Sequence, residues 1–176
     1  MRALVVYESL FGNTRAVAEA VADGLRERLS VEVVGVAEAP VDLAVTWDLV
    51  VLGGPTHAFG MTRAATRESA HQQGATEGGA TGRGLREWLA ATSGPRDLPV
   101  AVFDTRVAHP RLPGSAARAA ARRLRSKGFR LQEPPESFLV EGTAGPLLPG
   151  EFDRARGWGT RLAADVSGLA STSTPA

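Results

Sequence analysis

The stretch Glu8-Ser9-Leu10-Phe11-Gly12-Asn13-Thr14 follows an apolar run and precedes a helical pattern. Gly12 lets backbone approach a ligand closely. Ser9, Asn13 and Thr14 add short polar side chains. The amides of residues 10–14 lead into a helix N-terminus, where unpaired N–H groups and the helix dipole favour an anion. No lysine or arginine lies inside the loop, and Arg15 follows it. These residues suit a phosphate held by neutral donors rather than by a paired cation. A Walker loop would need a Gly-Lys-Ser/Thr ending, and a dinucleotide fingerprint would need G-x-G-x-x-G; neither is present. A phosphoacceptor receiver domain would want an acidic pair here, and the loop has Glu8 alone. The plain alternative is a helix-capping turn with no ligand.

Two further loops carry candidate residues. Gly53-Gly54-Pro55-Thr56-His57-Ala58-Phe59-Gly60 closes a third apolar run, and its glycines let backbone pass close to a flat ring. His57 or Phe59 could stack on such a ring; otherwise Phe59 packs inward and His57 faces water. Asp104-Thr105-Arg106 follows a fourth run. Thr105 offers a hydroxyl contact, and Asp104 either contacts a ligand or caps the next turn. Arg106 either steadies an anionic group or faces solvent.

The first loop and its flanks resemble the flavodoxin signature. Val5-Val6-Tyr7 is the apolar strand ending in an aromatic residue, and Ser9 to Thr14 is the turn with a small residue before x-Thr. Ala18 and Val21 fall at the expected places in the following helix. The order of elements is similar to that superfamily over roughly residues 2–166. The resemblance implies one FMN, with its phosphate held by Ser9, Asn13, Thr14 and the amides around Leu10, Phe11 and Gly12. It places Pro55, Thr56, His57, Ala58, Phe59 and Gly60 beside the flavin ring. Asp104, Thr105 and Arg106 would lie toward its pyrimidine side and ribityl chain. The second loop is also similar to the Pro-Thr-x-Phe-Gly-x-Met loop of the quinone-reducing branch. It has one residue more between Thr56 and Phe59 and one fewer between Gly60 and Met61. Flavodoxins proper often stack a tryptophan and a tyrosine on the ring. This loop has no tryptophan, and the sole tyrosine is Tyr7.

The elements that must hold these loops alternate. Ala3–Tyr7, Val31–Val36, Asp48–Gly53 and Leu98–Phe103 read as strands covered on both faces. Phe129–Val140 holds a fifth strand broken by Pro134-Pro135, because proline cannot donate to a ladder. Helical patterns span about Arg15–Leu29, Gly84–Thr92 and Ser115–Lys127, and Phe152, Ala155, Leu162 and Val166 mark a last helix. This alternation predicts an α/β fold: a flavodoxin-like three-layer sandwich on a five-stranded parallel sheet of order 2-1-3-4-5. Ligands in such sheets sit beyond the carboxyl ends of the strands at the switch point beside the first strand, which gathers the three loops. The domain is expected over residues 1–168, with a flexible tail over 169–176.

Composition narrows the chemistry. Hydrophobic residues make up 43% and charged residues 22%, ordinary for a globular chain. A net charge of +1 points to no nucleic-acid partner. With no cysteine, thiolate chemistry, disulfides and iron–sulfur ligation are excluded, so redox chemistry would need a bound cofactor. No membrane-length apolar run and no leader pattern are present, which makes a cytoplasmic location the expectation.

Two segments stand apart. Met61–Arg83 contains no Val, Leu, Phe, Tyr or Trp, and reads as a mobile loop or weak helix. It could act as a lid, complete a pocket from a second subunit, or be a surface insertion. Arg118, Arg122, Arg123, Arg125, Lys127 and Arg130 form a basic cluster. It is either a solvated helix face or a docking patch for an acidic redox partner. Three functions fit: an FMN electron carrier serving a redox partner protein or small-molecule acceptor; an FMN-dependent NAD(P)H:quinone-type oxidoreductase; or a chain of this shape that has lost FMN.

Overall fold

The structure, a computed structural model, describes residues 1–43, 47–57, 60–77, 82–110 and 113–172. Its strands are β1 (Arg2–Tyr7), β2 (Ser30–Gly35), β3 (Leu49–Pro55), β4 (Pro99–Val107), β5 (Arg130–Leu131) and β6 (Glu136–Val140). Its helices are α1 (Asn13–Leu25), α2 (Ala64–Gln72), α3 (Leu85–Ala91), α4 (Ala116–Ser126) and α5 (Glu151–Thr172). The sheet is parallel, in the order β2-β1-β3-β4-β5, and β6 also pairs with β4. The expected order therefore holds. The last edge is two short strands on one neighbour, separated at Pro134-Pro135, where the ladder has no donor.

Alternation along the central strands explains the layers. Ala3 and Val5 of β1, with Leu49 and Val51 of β3, pack into one core with α1 and α5. Leu4, Val6, Val50 and Leu52 point the other way, into a second core with α3 and α4. Both faces are thus buried, which is why these strands read as unbroken apolar runs.

Three boundaries differ from expectation. Helix α1 begins at Asn13 and ends at Leu25, although Val17, Val21 and Leu25 form its buried stripe as predicted. Strand β4 does not stop at Phe103. It continues through Asp104, Thr105 and Arg106 to Val107, paired with β3 and then β6. These polar residues look like a loop in the sequence, but they find internal partners. Helix α5 runs to Thr172, into the stretch expected as a tail from residue 169, while residues 173–176 lie outside the described residues. Ala155, Leu162 and Val166 of α5 are buried, but Phe152 is 49% exposed. The missed core residue is Trp158, whose ring meets Phe103 and Phe138 edge-on at 6.1 Å. Among the described residues no helix is long and apolar enough to cross a membrane.

Candidate functional site

The turn between β1 and α1 is built around Gly12. Its φ of +86° lies in the left-handed region, which a residue with a Cβ enters only at a cost. The Gly12 N–H donates to Ser9 Oγ at 3.1 Å, closing the turn on itself. The first intrahelical bond runs from Ala16 N–H to Gly12 C=O, at 3.0 Å. The amides of Asn13, Thr14 and Arg15 therefore head the helix, where a helix has no carbonyl to offer them. Thr14 is buried, and its hydroxyl meets the Thr105 hydroxyl at 2.7 Å, tying the helix start to β4. Asn13 Nδ2 donates to the Ala144 carbonyl at 3.0 Å, which fastens the β6–α5 connection to the same place.

Beside this turn opens a cleft of about 330 Å³. One wall is Leu10, Phe11, Asn13 and Thr14; another is Pro55, Thr56 and His57; a third is Thr105, Arg106 and Val107, with Val140 and Thr143 at the end. This volume lies in the range of small cofactor sites, and the lining mixes apolar surface with a few hydroxyls in the usual way. After β3, His57 and Gly60 exchange N–H···O bonds of 2.9 and 3.1 Å. Among the cleft's described lining residues there is no carboxylate, while Arg106 and His57 are basic. Tyr7, at the end of β1, lies on the other side of the turn. Burial raises its phenol pKa above the ordinary value, and nearby Arg15 offsets part of that rise.

The sequence model of the flavodoxin family matches residues 5–86, just under half of the chain and the half that holds the turn and the loop after β3. Solved structures match nearly the whole length. An archaeal flavodoxin shares 20% identity, with 95% of this chain and 99% of that chain covered and a TM-score of 0.67. Oxidised flavodoxin 1 from Bacillus cereus shares 15%, with 96% and 98% covered and a TM-score of 0.65. The chain has the flavodoxin-like fold, and residues 5–86 resemble the flavodoxin family in sequence. A flavodoxin, WrbA-like protein from Agrobacterium tumefaciens is also similar, at 18% identity, 95% and 98% coverage and a TM-score of 0.56. No curated protein matches the sequence significantly.

In this flavodoxin-like chain the three predicted loops do converge. Leu10, Phe11, Asn13, Thr14, Pro55, Thr56, His57, Thr105 and Arg106 all line the cleft. Ser9 and Gly12 shape the turn from within. Ala58 and Phe59 lie outside the described residues, and Gly60 is bonded through its backbone to His57 without lining the cleft. Of the two roles open to Asp104, the structure shows the capping one. Asp104 is fully buried, and its Oδ2 accepts from Thr56 Oγ1 at 2.7 Å, Ser115 Oγ at 2.6 Å and Ala117 N–H at 3.0 Å. A side chain so enclosed has no surface for a cofactor; it joins the β3 loop to the start of α4. Val107, Val140 and Thr143 are cleft residues that the sequence reading missed, because it ended β4 too early and gave the β6 end no role.

The insertion is not a bare surface loop. Helix α2 packs Ala70, with Ala75 beyond it, against Leu10 of the β1–α1 turn, and Phe11 joins this cluster. Glu77 N–H donates to the Leu10 carbonyl at 3.1 Å, and its carboxylate pairs with Arg15 at 2.9 Å. Arg67 is 4% exposed, with Nη1 reaching Thr62 Oγ1 and Glu87 and Nη2 reaching the Gly82 carbonyl. Thr62 in turn donates to Glu8, whose other oxygen accepts from Leu85 N–H at 2.8 Å. A buried polar chain thus links the insertion, the end of β1 and the start of α3.

Proposed function

We propose that this chain binds one FMN in the cleft and works as a cytoplasmic electron carrier. The observation that carries this reading is the left-handed Gly12 turn, which opens α1 directly beside a cleft of cofactor size. The residues present fit the group. The amides of Asn13, Thr14 and Arg15 would take the phosphate, with Ser9 holding the turn in shape. Thr14, Thr56 and Thr105 are the threonines shared by the three loops that line the cleft, and a polyol chain would run past them. Pro55, His57 and Val107 would flank the ring and exclude water from it. Bound FMN supplies the redox chemistry, and the protein supplies position and electrostatics. Arg106 lies among the cleft residues, so a cation stands near where the ring would sit.

The same charge supports a second reading, an FMN-dependent NAD(P)H:quinone-type oxidoreductase, because an anionic nicotinamide nucleotide would also be drawn to Arg106. Titration of purified protein with FMN, followed by flavin absorption and fluorescence, tests the first reading. Saturable one-to-one binding is expected, weakened when Ser9→Ala and Thr14→Ala are combined. Failure to take up FMN would leave a flavodoxin-shaped protein without the cofactor. Steady NADPH oxidation on adding a quinone would favour the enzyme over the carrier.

A further inference from the structure

The basic cluster of the sequence separates into two parts. Lys127 is committed to the fold: its Nζ donates to the carbonyls of Ala90 and Thr92 at 3.0 and 2.7 Å, at the C-terminal end of α3. Such a cation complements the helix dipole. Arg118, Arg122, Arg123 and Arg125 are exposed on α4, and none of them makes an ion pair among the described residues. Four arginines on one helix repel each other, and nothing described on this face relieves them. The chain as a whole carries a charge of only +1, so this is a local field and not a general one.

A groove runs alongside these arginines, between α3 and α4. Its volume is about 510 Å³, and Met61, Ala90 and Ala119 supply its apolar surface, with Arg86, Arg122 and Arg123 as its charged rim. No described carboxylate lines it. Arg86 is fixed in place, donating to the carbonyls of Met61 and Thr62 at 3.0 and 3.2 Å. Met61 of the groove follows Gly60, whose backbone is bonded to that of the cleft residue His57.

We infer that the α3–α4 groove docks an acidic segment of a partner protein, one with a central apolar side chain, and that this partner exchanges electrons with the cleft. The redox part rests on the FMN reading above; the docking part does not. The apolar surface favours a protein segment over nucleic acid or a lipid surface, since a phosphate backbone would leave Met61 and the alanines beside it unmatched. Rim arginines would set the encounter rate and its salt dependence, and the apolar contact would set the residence time.

The test uses the full chain and a synthetic helical peptide with glutamates flanking a central leucine, read by fluorescence anisotropy. Binding is expected at low salt and should weaken as salt rises. Arg122→Glu with Arg123→Glu should weaken it about ten-fold or more, with the circular dichroism spectrum unchanged. Changing the peptide leucine to serine should weaken it as well. The inference is overturned if wild type and the double variant bind the peptide equally, if the serine peptide binds as well as the leucine peptide, or if a duplex DNA or phosphatidylserine vesicles bind as tightly at the same salt. An FMN titration on the same samples separates the two ideas. Peptide binding without FMN binding removes the redox role and keeps the dock, while the reverse removes the dock alone.

Discussion

A carboxylate stands beside the turn that would take a phosphate. Glu77 Oε1 lies 3.9 Å from where a Cβ on Gly12 would sit, and its partner Arg15 is 55% exposed. Glu77 Oε2 is buried with no hydrogen-bond partner. With no cation inside the turn, an incoming phosphate meets this charge through a partly buried path. Glu77→Gln should therefore tighten FMN binding by about 1 kcal/mol, or roughly five-fold in Kd. Riboflavin, which lacks the phosphate, should bind the two proteins alike. Parallel titrations with both flavins decide the matter, and an equal change in both would mean that Glu77 acts by shaping the turn and not by charge. Nothing in the sequence singles out Glu77. It lies in a segment with almost no apolar pattern, and its role comes from an ion pair and a backbone bond across more than sixty positions. By contrast, Ser9, Gly12 and Thr14 are legible because a turn before a helix limits which residue types work.

Elements are held to one another by groups that no periodicity reports. Asp104 is one such group, for its single oxygen collects donors from the β3 loop, the Ser115 cap and the first turn of α4. Asp104→Ala would strand three donors in a buried place. It should cost about 3 kcal/mol in urea unfolding, with a larger loss of structure in α4 than elsewhere by hydrogen exchange. A cost below about 1 kcal/mol would show that water replaces the carboxylate. Helices α1 and α5 meet through glycine. A Cβ on Gly159 would stand 2.1 Å from the Val21 carbonyl, and one on Gly24 would stand 2.1 Å from the Arg156 carbonyl. On Gly157, two positions earlier, it would meet nothing within 4 Å. Alanine normally favours a helix over glycine by about 1 kcal/mol. Gly157→Ala should stabilise the protein by about that amount, whereas Gly159→Ala should destabilise it by roughly 2 kcal/mol through overpacking. Chemical denaturation of the pair checks the opposed signs. The helices themselves are readable from Val17, Val21, Leu25, Leu162 and Val166, but this contact between backbones is not, since glycine leaves no mark in a hydrophobic pattern.

At the scale of the molecule, the fold was legible because β1, β3 and β4 are buried on both faces and so appear as apolar runs with helical patterns between them. The sheet order then places the cleft, since the loops after β1, β3 and β4 can meet only at the switch point. Where the reading failed, buried polar groups were the cause: Asp104 carried β4 beyond its apolar part, and Arg67 anchored a segment that seemed unable to pack. The same architecture makes a prediction about stability. The cleft draws on residues from Leu10 to Thr143, so it exists only when the whole sheet is assembled. FMN should then bind the folded chain and not the unfolded one. At a free concentration one hundred times Kd it should add about 2.7 kcal/mol to the unfolding free energy, with the denaturant slope unchanged. Gly159→Ala lies in the α1–α5 contact and away from the cleft, so it should lower the baseline yet keep the same increment at the same multiple of its own Kd. A urea midpoint that does not move with FMN would mean that the cleft holds some other ligand. An increment that shrinks in Gly159→Ala would mean that the α1–α5 contact reaches the Gly12 turn through α1, which begins at that turn.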